Sequence, residues 1–111
     1  MKLARDEFKC PCCDKLILDS MFFGMMSRAR EIADTPFHIN SGYRCEKHNA
    51  EVGSTSKNHP SGRAADIRAT DGPTRGKILK GLYCAGFRRI GIGKTYIHAD
   101  SMDDVESTWL Y

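Results

Sequence analysis

The segment SMFFGMMSRAREIAD sets Met21, Phe22, Met25, Met26, Ala29, Ile32 and Ala33 at three- and four-residue intervals, with polar residues between them. That is the period of one apolar stripe on a helix, and such a stripe needs a packed surface to bury it. Asp19 and Ser20 are available as N-caps. The methionines of the stripe read as core filler and not as a soft-metal site. Thr35-Pro36 ends the helix, because the residue before a proline is driven out of the helical region. FHINSG then alternates Phe37 and Ile39 with His38 and Asn40, which predicts a short strand running into a turn at Ser41-Gly42.

The remaining segments are shorter. RCEKHNAEVG predicts a helix of one to two turns closed by Gly53, and STSKNHPSGRA has the composition of a loop. AADIRA reads as a strand whose small residues Ala64 and Ala65 allow close packing. GPTRGKILKGLYCAGF predicts a further helix with Ile78, Leu79, Leu82 and Tyr83 on one side, Cys84 in the core and Gly86 near its C-terminus. RIGIGKTYIHAD predicts two strands about a Gly93-Lys94 turn, and the tail offers Trp109 and Tyr111 as a docking strand or turn. Residues 1–14 read as a Cys-rich N-terminal loop.

A chain of 111 residues buries one core, so residues 1–111 are expected to form a single domain, and a monomer is the expected state. The net charge of +3 is spread evenly and forms no basic stripe, which argues against nucleic acid as a partner. The pairs Arg28/Arg30 and Arg88/Arg89 read as solvated faces. No run approaches the roughly 18 apolar residues of a membrane span, and the N-terminus has no apolar signal region, so no membrane partner is expected and the chain as given reads as cytoplasmic when synthesised. Five cysteines, an odd number, leave at least one unpaired within the chain, and reduced thiols are the expectation.

Chemistry concentrates in the histidines and aspartates. Neutral imidazole and carboxylate are zinc ligands, and catalytic zinc sites use three protein ligands with a fourth position open. His59 lies in the Gly/Ser-rich loop, Asp66 follows seven residues later among small residues, and His98 lies in an otherwise apolar strand with Asp100 on the same face. Spacing leaves two readings open, a two-His, one-carboxylate zinc set or a structural role for a lone strand histidine.

The segments Ser41-Gly42-Tyr43-Arg44-Cys45, His48-Asn49, Val52-Gly53, His59 through Ile67, Gly91-Ile92-Gly93 and Tyr96-Ile97-His98-Ala99-Asp100 closely resemble the D-alanyl-D-alanine carboxypeptidase-like zinc peptidases. These are part of the lysostaphin, D-Ala-D-Ala and hedgehog superfamily. The resemblance runs from about Phe8 to Trp109 in the family's order. It implies a small α+β domain whose antiparallel sheet, with flanking helices, carries Zn2+ on His59, Asp66 and His98. It further implies that Arg44 faces a substrate carboxylate or carbonyl, and that Tyr43, Ser56 and Tyr96 belong to the substrate-binding surface. The implied activity is hydrolysis of short peptides of bacterial peptidoglycan by a carboxypeptidase or endopeptidase, in the manner of phage endolysins. A non-catalytic zinc-binding or wall-binding module is the alternative within the same superfamily.

The chain departs from that pattern at several positions. Many relatives keep an acid or histidine two or three residues before the last zinc ligand, where Tyr96 and Thr95 stand here. Asp100 is the remaining general base, or else it accepts a hydrogen bond from a zinc-ligating imidazole. Lys57 occupies a position where many relatives have serine, with Ser56 one residue earlier. His48 is expected to bond the loop bearing His59, and His38 to lie on the surface. Cys10, Cys12, Cys13 and Cys45 admit three states: a second zinc site of poor spacing, a disulfide to Cys45, or plain buried thiols.

Overall fold

A computed structural model describes residues 2–13, 15–54 and 56–111. Met1, Asp14 and Thr55 lie outside the described residues, so the Cys-rich loop expected over 1–14 is described from 2 to 13. Its first part is a 3-10 turn, Arg5–Phe8, which buries Phe8.

The amphipathic stripe forms α1, Ser20–Ala33, capped by the Asp19 carboxylate, which accepts the Phe22 N–H at 2.9 Å. The helix stops at Asp34, which adopts a left-handed conformation (φ 51°) and returns its N–H to the carbonyls of Arg30 and Glu31. The strand β1 (Ile39–Ser41) and the short helix α2 (Glu46–Glu51) follow. A 3-10 turn at His59–Ser61 leads into β2, Ala64–Arg68. Helix α3, Gly72–Cys84, is capped by Asp71. The hairpin β3 (Arg89–Ile92) and β4 (Tyr96–Asp100) turns about Gly93-Lys94, and β5 (Ser107–Leu110) closes the chain. This is an α+β domain.

The five strands make one sheet in the order β1-β2-β4-β3-β5. The sheet expected to be antiparallel is mixed, because β5 pairs with β3 in parallel. The cause is topological. The chain leaves β4 at Asp100, beside the start of β3, steps over β3 through residues 101–106, and then runs alongside it in the same direction.

Strand periodicity divides the sheet into two chemistries. Ile67, Ile90, Ile97, Ala65 and Ala99 point into the core with Phe22 and Met26 of α1, Ile78 and Leu82 of α3, and Phe8 and Phe87. Each fully buried large apolar side chain there contributes about 1.5–3 kcal/mol. Helices α1 and α3 touch closely at Gly81, where a Cβ would stand 2.4 Å from the Ala29 carbonyl oxygen. Three side chains expected on the apolar sides of these helices lie outside the core: Met21, Tyr83 and Cys84 are exposed. The apolar stripes of both helices are therefore narrower than their sequences imply. No described helix is long and apolar enough to cross a membrane.

The opposite sheet face carries Asp66, His98 and Trp109, all in one row. The register pairs Ser41 with Asp66, Asp66 with His98, His98 with Gly91, and Gly91 with Trp109.

Candidate metal centre

Three ligand atoms converge over that row. His59, buried in its 3-10 turn, brings Nε2 to 3.5 Å from Asp66 Oδ2, and His98 Nδ1 lies 2.9 Å from Asp66 Oδ1. His59, Asp66 and His98 can each offer an atom within 4.8 Å of the others. With zinc–nitrogen and zinc–oxygen bonds near 2.0–2.1 Å, ligand atoms of a tetrahedral site stand about 3.3–3.4 Å apart, which these two separations bracket. The donor set is thus fit to hold a metal ion.

Both imidazoles are oriented by bonds on their far sides. His59 Nδ1 donates to the Gly42 carbonyl at 2.7 Å, which leaves Nε2 as the free lone pair. His98 Nε2 is 2.7 Å from Asp100 Oδ2, which leaves Nδ1 facing Asp66. Gly42 is held tightly in its turn: a Cβ there would lie 2.6 Å from the Phe8 Cα, so the site's carbonyl acceptor is braced by the N-terminal segment.

Asp100 is fully buried and accepts bonds on both oxygens. Oδ2 accepts from His98 and from Asn58 Nδ2 (3.2 Å), while Oδ1 accepts from Arg89 Nε (2.7 Å) and the Met102 N–H (3.1 Å). Of the two roles open to it from sequence, this geometry matches acceptance of a bond from His98. Arg89, read from sequence as part of a solvated face, is instead mostly buried, stacked over Trp109 at 5.2 Å and paired to Asp100. The hairpin contains the signal for that pair. Setting Ile92 against Ile97 puts Arg89 opposite Asp100.

Electrostatics follow the same contacts. Burial opposes ionisation of Asp66 and Asp100. For Asp66 the neighbouring His59 and His98 outweigh it, and for Asp100 His98 and Arg89 do, so both carboxyls are held below their usual range. Burial also opposes the charged form of His98, but bonds to Asp100 and Asp66 prevail and raise its pKa. The Tyr96 hydroxyl is pushed up by burial and by the Asp66 charge, which keeps it a proton donor.

A cleft of about 320 Å³ opens on this centre, and its walls include Arg44, Ser56, Asn58, Tyr96 and Tyr111. Arg44 Nε is buried with no hydrogen-bond partner among the described residues. Of the sequence-predicted substrate residues, Arg44, Ser56 and Tyr96 line this cleft. Tyr43 does not: it is buried and lines a separate cleft with Cys12, Cys13 and Cys45.

Among the described residues His48 makes no bond to the His59 loop, where one is expected. Its Nδ1 lies 3.9 Å from Glu51, and the neighbouring Asn49 ties the loop instead, donating to the carbonyls of Ser54 and Ser56. His38 is exposed, as expected. Asn58, Arg89, Trp109 and Tyr111 are the site residues that sequence reasoning missed. Asn58 and Tyr111 carried no signal, since their places depend on loop and tail geometry.

Fold and site together define a mixed-sheet α+β domain with a two-histidine, one-carboxylate metal set on its open face. The family model for peptidase M15 matches residues 3–100, and the chain belongs to the peptidase M15 family. Its members are typically zinc-dependent. A comparison with curated proteins returns no match.

Proposed function

We propose that the chain is a zinc peptidase that hydrolyses the short peptides of bacterial peptidoglycan. The observation that carries this reading is the meeting of His59 Nε2, Asp66 and His98 Nδ1 in a cleft that Arg44 also lines. His59, Asp66 and His98 would hold the ion, which when bound supplies Lewis acidity toward a scissile carbonyl and a lowered pKa for water. The protein's own groups supply the rest. Arg44 binds a substrate carboxylate or carbonyl through its planar donors. Tyr96, kept protonated, donates a hydrogen bond to oxygen charge developing in the cleft. Gly42 and Asp100 hold the two imidazoles in their ligating tautomers. Ser56 and Asn58 line the substrate wall.

One observation favours the binding-module alternative. Apart from Asp66, the described lining of the cleft contains no carboxylate, and both oxygens of Asp100 are occupied. The two readings separate on purified stem peptides and cross-linked muropeptides. A peptidase releases new termini with zinc bound, stops on chelation, recovers on zinc addition and loses turnover in Arg44→Ala while retaining zinc. Zinc retention with no cleavage on any such substrate supports the module.

A further inference from the structure

We propose that Cys10, Cys12, Cys13 and Cys45 bind a second, structural zinc ion, separate from the His59, Asp66 and His98 site. The four sulfurs lie within 4.8 Å of one another. Three are mutually in contact: Cys10–Cys12 at 3.4 Å, Cys10–Cys45 at 3.6 Å and Cys12–Cys45 at 3.3 Å. With zinc–sulfur bonds near 2.3 Å, the edges of a tetrahedral thiolate site are about 3.8 Å, so the triangle is the shape an ion would draw together with little movement. A disulfide uses two sulfurs and gives no reason for a third to share the same contacts.

The surroundings suit bound thiolates. The Cys45 N–H points at Cys10 Sγ (3.5 Å) and the His48 N–H at Cys45 Sγ (3.4 Å), the backbone bonds that stabilise sulfur ligands. The turn that presents Cys12 and Cys13 is closed by the Cys10 N–H on the Lys15 carbonyl at 2.8 Å. Four thiolates with one zinc leave a net charge of −2 by formal count, and among the described residues lining the same cleft Lys15 and Lys47 stand against one acid, Glu46. Four cysteines, with no other ligand type grouped with them among the described residues, select a tetrahedral, thiophilic ion.

The site also has a structural purpose. Cys45 directly follows Arg44, and the Tyr43 N–H donates to the Phe8 carbonyl at 2.7 Å. An ion clamping Cys45 to the turn at residues 10–13 would therefore fix the segment from Gly42 to Arg44, which supplies both the His59 acceptor and the cleft guanidinium. The sequence spacing is poor because one ligand comes from far along the chain, and the backbone pairing at Phe8 and Tyr43 brings it in.

The test uses the full chain, purified under reducing conditions. Metal analysis is expected to find two zinc ions per chain, falling to one in Cys12→Ser, a substitution at an exposed position. Cobalt substituted into the wild-type protein is expected to give a thiolate-to-metal charge-transfer band in the near ultraviolet, and the band should persist in His98→Ala, whose other site is broken. A His98→Ala protein that keeps the band while losing peptidase activity would separate this site from the hydrolytic one. The proposal is overturned if cobalt-loaded wild type shows no thiolate band, if thiol reagents react equally fast with zinc-loaded and metal-free protein, or if mass analysis of reductant-purified protein finds a disulfide among these cysteines.

Discussion

Replacing Asp100 by asparagine tests what this buried carboxylate does. Its four partners, His98 Nε2, Asn58 Nδ2, Arg89 Nε and the Met102 N–H, are all donors, two on each oxygen. An amide has only one acceptor oxygen, so in Asp100→Asn either orientation of the new side chain turns its NH2 toward two donors. If the NH2 faces His98, the ring loses the bond that leaves Nδ1 free to ligate. Losing such an outer partner typically costs 10- to 100-fold in metal affinity, or about 1.4–2.8 kcal/mol. The alanine variant removes all four acceptor contacts and should lower stability by about 3 kcal/mol, near the bottom of the range for orphaning one member of a buried ion pair. The low end applies because the Arg89 side chain is 15% exposed and keeps its bond to the Val105 carbonyl. Zinc affinity is read by competition with a chromophoric chelator, stability by urea denaturation, and turnover on a muropeptide at saturating zinc. The positioning account expects weaker zinc binding and turnover restored to within a few-fold when zinc saturates. Unchanged zinc affinity with a loss of 100-fold or more at saturation would refute it and make Asp100 the general base.

Other perturbations probe separate parts of the site. Arg44→Lys should retain zinc but raise KM on carboxylate-ended peptides, since an ammonium cannot reproduce bidentate contact; an unchanged KM would remove Arg44 from the substrate surface. Gly42→Ala should destabilise the fold by about 1–3 kcal/mol through the clash with Phe8, and wild-type stability would show that the turn has room to move. Because the folded pKa of His98 is raised, its stabilising contribution in metal-free protein is complete below its ordinary value near 6.5 and is lost as pH rises through the folded pKa. Zinc must displace a proton from the imidazolium, so the melting-temperature gap between zinc-loaded and metal-free protein should widen with rising pH over that range; a constant gap would contradict ligation by His98. Asp66 and Asp100, held low, lose their contributions as pH falls below about 3.8, where metal-free protein should unfold.

Much of the fold was legible because it is written in local periods. The stripe of α1, the cap at Asp19 and the β3–β4 hairpin all follow from residues within a few positions of each other. The parallel pairing of β5 was not legible, since it depends on where β4 ends relative to β3 and not on any pattern in STWL. At the site, His59, Asp66 and His98 meet as the resemblance implies, while Tyr43 faces away because Tyr43 and Arg44, adjacent in a turn, line different clefts. Asn58 is hidden for a related reason, since it reaches Asp100 from a loop that folds back over the sheet, whereas the Arg89–Asp100 pair is implicit in the hairpin register. Short-range chemistry in this chain is readable, and partners joined across loops are not.

Diffraction from zinc-loaded crystals on both sides of the zinc absorption edge locates the ion against its three ligands. An anomalous peak is expected within bonding distance of His59 Nε2, an Asp66 carboxylate oxygen and His98 Nδ1, with Asp100 still bonded to His98 Nε2. Absence of that peak in zinc-saturated crystals, or ligation through His98 Nε2 with Asp100 displaced, would contradict this assignment.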